Sequence, residues 1–298
     1  VKVPLEPATD ADEKSFGSVR SLRFSPDGKQ LAFLGTREVV THGTCSFLGV
    51  VDWATKRVST AVAVKDEPDE GYSNADKVEA AFNGLFTGSL SRNAWSTDGK
   101  YVFFDSQVGS RVVWKYVNVS TGAIVSPKYV DGARVAIETV LDRHDSVLGN
   151  NFYALVSVSS PTRAPSVYLV SIDTASGKYA RSPIAIEVQD EAEGTSPYIK
   201  DWQVYSIPTS VSDSQPRRLS VLDFPGQDLL KDLLIPQVSS TAPFEATLLL
   251  PTQEPPSSGY PVVLELHGGP HGNAPVMYRG MYEYFAALGF AVVTVNYR

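Results

Sequence analysis

One hairpin signal occurs twice in this chain and restricts what it can fold into. Arg23-Phe24-Ser25-Pro26-Asp27-Gly28-Lys29 leads into Leu31 to Phe33, and Ala94-Trp95-Ser96-Thr97-Asp98-Gly99-Lys100 leads into Tyr101 to Phe104. Each copy is a short apolar strand, an Asp-Gly turn and a second strand. Asp-Gly supplies the positive backbone angles of a tight hairpin, and its aromatic and β-branched neighbours suit a pleated, half-buried surface. A second pattern, an alternating strand ending in a polar turn, recurs at Phe47 to Asp52 with Thr55-Lys56, at Trp114 to Asn118 with Thr121-Gly122, and at Val167 to Asp173 with Ser176-Gly177-Lys178.

Paired hairpins that recur in this way predict the blades of a β-propeller. Blade repeats run at about 40 to 50 residues, whereas the two Asp-Gly turns lie 71 residues apart (98 − 27). One blade therefore carries an insertion, or a weakly patterned blade lies between them. The acidic run from Lys65 to Glu79 favours an insertion that forms a solvated loop. Asn151 to Ser159 followed by Val167 to Ile172 reads as a third blade, and Gln189 to Pro197 and Ser206 to Pro216 read as connectors. A closed propeller has about four to eight blades, so residues 1–235 are expected to be the last blades of an incomplete one.

From Phe244 the pattern changes. Phe244 to Leu250 reads as a strand, and Pro261 to Leu266 is a nearly continuous apolar run of the kind covered on both faces in a parallel sheet. Met277, Met281, Tyr284, Phe285 and Leu288 then recur at helical spacing, with Asn273 and Pro275 as start signals and Gly289 as a stop. Ala291 to Val295 forms another strand, and the propeller termini and the sheet edge at Ala291 to Arg298 are expected to be unpaired, so that the isolated chain is poorly soluble or aggregates. Strand, loop, helix and strand in this order build a parallel sheet. Residues 236–298 are accordingly expected to open a second unit built on a parallel sheet.

The loop in that unit reads His267-Gly268-Gly269-Pro270-His271. Two glycines let the backbone bend tightly and leave an amide facing a cleft without a side chain in the way. In α/β-hydrolases a Gly-rich loop at this place donates one oxyanion-hole N–H. A preorganised donor of that kind stabilises the transition state by about 3 kcal/mol.

The stretch GYPVVLELHGGPH from Gly259 to His271, with LGFAVVTVNYR from Leu288 to Arg298, resembles the start of the catalytic domain of the prolyl oligopeptidase family of serine peptidases. PFEATLLLP from Pro243 to Pro251 and VLDRHD from Val140 to Asp145 are similar to the acylaminoacyl-peptidase branch of that family. The resemblance implies that residues 236–298 are the truncated start of an α/β-hydrolase domain behind the propeller, with Gly269 as the oxyanion donor, Gly268 as the residue shaping the loop, and His267 and Pro270 as its support. His271 and Arg298 also match, the latter as scaffold. It implies a Ser, Asp and His triad beyond Arg298, since no Gly-x-Ser-x-Gly occurs in the chain. The implied activity of the full-length protein is release of N-acylated amino acids from short peptides, and the fragment alone is expected to be inactive. A dipeptidyl-peptidase or prolyl oligopeptidase of the same family, or a non-catalytic propeller that binds partners, are the alternatives.

The remaining features narrow the partners. A formal charge of −7 gives no footprint for nucleic acid or acidic lipid. Cys45 is the single cysteine, which excludes a disulfide framework and favours a reducing, cytoplasmic setting. His42 and His144 read as structural or surface histidines, and no spacing suggests a metal, phosphate or cofactor site. No membrane association is expected, and a homo-oligomer is allowed.

Overall fold

The computed structural model describes residues 6–7, 16–39, 43–65, 82–125, 137–145, 151–173, 178–184, 196–207, 244–268 and 272–296. Its strands form three open sheets. The first holds β1 (Glu6–Pro7), β2 (Ser18–Phe24), β3 (Gln30–Thr36), β4 (Phe47–Asp52) and β5 (Arg57–Val62), in the order β1-β5-β4-β3-β2. β2 to β5 are successive antiparallel neighbours, as consecutive hairpins are. The second sheet contains β6 (Tyr101–Val108), β7 (Arg111–Asn118), β8 (Ile124–Val125), β9 (Ile137–Asp145), β10 (Asn151–Ser160), β11 (Arg163–Asp173) and β12 (Tyr179–Pro183). Within it β6, β7 and β8 form one antiparallel group and β9 to β12 another, joined by a single parallel pair, Val112 with Ile137.

The repeated turns are chemically the same object. In the first, the Ser25 hydroxyl donates to Asp27 Oδ1 at 2.7 Å, which also accepts the Lys29 N–H at 3.0 Å. In the second, Asp98 Oδ1 accepts the Ser96 hydroxyl at 2.7 Å and the Lys100 N–H at 3.0 Å. Gly28 and Gly99 both take φ of +70°, the conformation for which glycine carries no Cβ penalty. The strand-end turns repeat as well: Asp52 Oδ1 accepts the Ala54 and Thr55 amides, and Asn118 Oδ1 those of Ser120 and Thr121.

Alternation along β6 and β7 sends side chains to two different neighbours. Val102, Phe104 and Val117 pack with Ala32, Leu34, Leu48 and Val50 of the first sheet. Phe103, Trp114 and Tyr116 pack with Phe152, Val156, Tyr168 and Val170 of β10 and β11. Phe103 and Phe152 stack with centroids 4.3 Å apart. Both faces of this hairpin are thus covered, which explains the unbroken apolar runs Tyr101 to Phe104 and Val112 to Trp114.

The third sheet has the order β13-β14-β16-β15, from β13 (Ile199–Ile207), β14 (Phe244–Pro251), β15 (Val262–Leu266) and β16 (Ala291–Val295). β13 and β14 are antiparallel, and β15 and β16 are parallel across the helix α1 (Gly280–Ala287). The third sheet therefore draws a strand from each side of the expected seam at 235/236, a seam that itself lies outside the described residues. Part of the segment read as a connector, at Ser206 and Ile207, is the end of β13.

Three local expectations need correction. Ala291 to Val295 is an interior strand, paired on both sides, and β15 is the edge. With one strand partner and no element over its outer face among the described residues, β15 leaves Val262, Leu264 and Leu266 exposed at 57%, 56% and 70% rather than covered on both faces. The helix begins at Gly280 rather than near Asn273, because the backbone from Asn273 to Val276 makes its hydrogen bonds with side chains and turns elsewhere. Its buried residues are Tyr282 and Ala286, while Met281, Tyr284 and Leu288 of the expected apolar face are exposed. Gly289 does end it, at φ of +85°.

Candidate functional site

The glycine loop leaves the carboxyl end of β15. His267 is half-buried and Gly268 exposed. A Cβ built at Gly268 or at Gly272 would meet no atom within 4 Å, so among the described residues no close approach requires glycine at either place. Gly269, Pro270 and His271 lie outside the described residues, as do Arg298 and His42. His144 lies within β9, opposite Tyr153, one residue from the strand end and far in sequence from the loop.

The backbone beyond the loop is held from two directions. Asn296, directly after β16, accepts the Ala274 N–H at Oδ1 (2.7 Å) and donates from Nδ2 to the Ala274 carbonyl (3.1 Å). From the second sheet, Gln107 Nε2 donates to the Asn273 carbonyl at 3.0 Å, and the Ser110 carbonyl accepts the Val276 N–H at 2.7 Å. Glu245 on β14 ties these together: its carbonyl accepts the Asn296 N–H at 2.8 Å, and its Oε2 accepts the Ser110 N–H at 2.6 Å.

A second group fixes the start of α1. Glu265 on β15 accepts hydrogen bonds from the Tyr282 hydroxyl and from Arg279 Nη1, the latter at 3.3 Å. Burial, followed by that bond to Glu265, raises the Tyr282 phenol above its ordinary value. Glu283 accepts from Ser196 Oγ at 2.7 Å and from the Tyr278 hydroxyl. That bond from Tyr278, then burial, raises the Tyr278 phenol. These groups hold the backbone after the loop and the start of α1 to the sheets, an arrangement that can shape a loop.

Sequence reasoning named the loop and missed the groups that hold the backbone after it. Asn296 lies inside the stretch that carried the resemblance, yet nothing in its own surroundings points to Ala274. Gln107 and Ser110 are still more distant, at the tip of the β6–β7 hairpin. Among the described residues no group of three or more His, Cys, Asp or Glu could hold a metal ion, and no helix is long and apolar enough to cross a membrane.

Comparison with known proteins decides the family. Residues 12–189 match the family model described as acylamino-acid-releasing enzyme, N-terminal domain. The chain belongs to this family. It is 26% identical to the acylamino-acid-releasing enzyme of Sus scrofa over 281 residues, covering 94% of this chain and 32% of the relative. It is 28% identical to acylamino-acid-releasing enzyme 1 of Oryza sativa subsp. japonica over 293 residues, covering 93% and 32%. The chain thus spans about a third of the length of these acylamino-acid-releasing enzymes. A crystal structure of puromycin hydrolase covers 94% of this chain and 42% of its own at 15% identity and a TM-score of 0.46, a likeness too distant to argue from.

Proposed function

We propose that this chain is part of a serine peptidase that releases N-acylated amino acids from the N-termini of short peptides. The observation that carries the reading is the succession of a match to the acylamino-acid-releasing enzyme N-terminal domain over 12–189 and, after it, an HGGP loop at the carboxyl end of a strand parallel to its neighbour. Ligands of open α/β sheets bind at that end of the strands. In this reading the first two sheets are propeller blades, and the seam between units falls between β12 and β13 rather than at 235/236. The end of the matched segment at residue 189 and the pairing of β13 with β14 support that seam.

The reaction would begin with attack of a serine hydroxyl, deprotonated by a histidine that an aspartate orients, on the carbonyl of the acylated residue. All three groups would come from outside residues 1–298. The Gly269 N–H would donate to the oxyanion, with the loop held by the contacts around Ala274. The propeller would cover the cleft and restrict access to short peptides.

The test is a comparison of N-acetyl-alanine and free dipeptide chromogenic substrates with the full-length protein. Cleavage of the acetylated substrate alone supports the reading, cleavage of the free dipeptide alone makes the protein a dipeptidyl-peptidase, and cleavage of neither leaves a binding propeller. Gly269→Pro, which deletes the donor N–H, is expected to lower kcat by about 10²-fold or more.

A further inference from the structure

We infer that Asn296 is a positioning residue for the glycine loop, and that Gln107 at the tip of the β6–β7 hairpin ties the same loop to the second sheet. The consequence for catalysis rests on the proposed function; the structural tie does not.

Asn296 is 3% exposed, and Ala274, whose N–H and carbonyl it satisfies together, is 6% exposed. One side-chain amide thus stands in for a neighbouring strand. Buried backbone groups are nearly always paired, because an unmade hydrogen bond there costs the full desolvation of the group. Removing the Asn296 amide would orphan two such groups on one residue, and the cheapest repair is for Ala274 to move toward water, carrying the loop exit with it. Gly268 and Gly272 lie in open space, so close packing does not confine the loop at these residues.

The second anchor comes from a different sheet. Gln107 Nε2 spans the Gly109 and Asn273 carbonyls at 3.1 and 3.0 Å, and the Ser110 carbonyl takes the Val276 N–H. Asn273, Ala274 and Val276 are therefore fixed alternately by the hairpin tip, by Asn296 and by the tip again. Since Glu245 binds both Ser110 and Asn296, the two anchors share one support. A change in how the second sheet sits would reach the loop through these bonds.

The experiment is hydrogen exchange by mass spectrometry on the full-length protein, beside steady-state kinetics on N-acetyl-alanine p-nitroanilide. Asn296→Ala should speed exchange across 272–276 by about tenfold or more while β14 and β16 amides keep their protection. Asn296→Asp retains the acceptor for Ala274 N–H and should restore part of it. Gln107→Leu should act on the same segment more weakly. In the kinetics, Asn296→Ala should lower kcat by about tenfold with KM within about twofold, since displacement of catalytic groups costs rate before binding. Unchanged exchange across 272–276 in Asn296→Ala, or equal acceleration of β14 and β16, would overturn the assignment. If Asn296→Ala does not fold, Gln107→Leu decides, and unchanged exchange there sinks the tie. An unaltered protein without activity would defeat the proposed function while the exchange result still stood.

Discussion

The first sheet and the β6–β8 group are two copies of one hairpin pair, and they differ where each meets its neighbours. The shared frame extends to single bonds: Phe24 pairs with Leu31 as Trp95 pairs with Val102, and Trp53 N–H donates to the Lys29 carbonyl as Val119 N–H does to that of Lys100. The departures lie at the contacts. Phe24 is 51% exposed on the edge strand, whereas Trp95 is 5% exposed and donates from Nε1 to the Arg23 carbonyl of the other copy. Residues 37–46 join β3 to β4, while Gly109-Ser110 alone join β6 to β7, and that short tip reaches the third sheet. Turn chemistry preserves the frame, and the loops and strand positions that face other units carry the differences.

The largest test of this contrast is truncation of the paired aromatics. Trp95→Ala removes a ring from a core shared by two sheets and should cost about 3–5 kcal/mol. Phe24→Ala, which loses mainly an edge contact with Trp53, should cost about 1 kcal/mol or less, read as shifts in the urea midpoint. Equal losses would mean that the two positions are equally buried in solution. Next in size is Gly49, which faces Phe33 across the first sheet; its counterpart opposite Phe104 in the second is the fully buried Lys115. A Cβ at Gly49 would lie 2.3 Å from the Phe33 ring, which is itself buried beside Phe47 and Val51. Gly49→Ala should therefore cost about 1–3 kcal/mol by overpacking. A neutral result would show that the Phe33 ring can turn aside.

How much of this was legible in the sequence follows the same division. Local chemistry was readable: Asp27-Gly28 and Asp98-Gly99 announced their turns, β4, β10 and the ends of β7 and β11 fell where alternation put them, and Gly289 ended the helix. Long-range placement was not. Nothing in Ile199–Ile207 tells that it pairs with Phe244–Pro251 across the sequence between them. The apolar run of β15 reads the same whether its outer face is covered or exposed. The site divides likewise: His267-Gly268-Gly269-Pro270-His271 was visible as a motif, whereas its support from Asn296, Glu245 and Gln107 exists only in three dimensions.

The strand-end turns give a smaller, two-sided test. Lys56 and Gly122 occupy the same turn position, each donating its N–H to the turn's first carbonyl at 2.8 Å, with φ of 62° and 70°. Gly122→Ala puts a Cβ into that conformation and 3.2 Å from the Ala61 carbonyl, and should cost about 1–2 kcal/mol. Lys56→Gly relieves the same backbone penalty but removes a cation 3.6 Å from the Trp53 ring centroid, an interaction of about 0.5–1 kcal/mol at exposed sites. The two effects should nearly cancel, so the midpoint should move little. A loss on Lys56→Gly as large as on Gly122→Ala would show that side-chain contact, not backbone angle, governs the first copy.

The smallest expected effect separates the two Asp-Gly turns by pH. Burial raises the Asp98 carboxyl, but hydrogen bonds from Ser96 and Lys100 outweigh it and hold the group below the ordinary carboxylate value. The Lys29 N–H, then the Ser25 hydroxyl, lower Asp27 in the same direction. A carboxyl lowered by folding binds fewer protons in the folded state, so its contribution is complete above the unfolded value of about 4 and is lost as pH falls through the lower folded value. Both carboxylates are well exposed, which keeps the effect modest. The ammonium lies 2.9 Å from the carboxylate in the Lys100–Asp98 pair and 3.4 Å in Lys29–Asp27, so the second copy should depend more on its charge. Urea midpoints measured from neutral pH down past 4 should fall less steeply in Asp98→Asn than in the unaltered chain, with a weaker flattening in Asp27→Asn. Identical slopes in all three proteins would mean that the turns are held by their neutral hydrogen bonds, and that the likeness of the two copies does not depend on carboxylate charge.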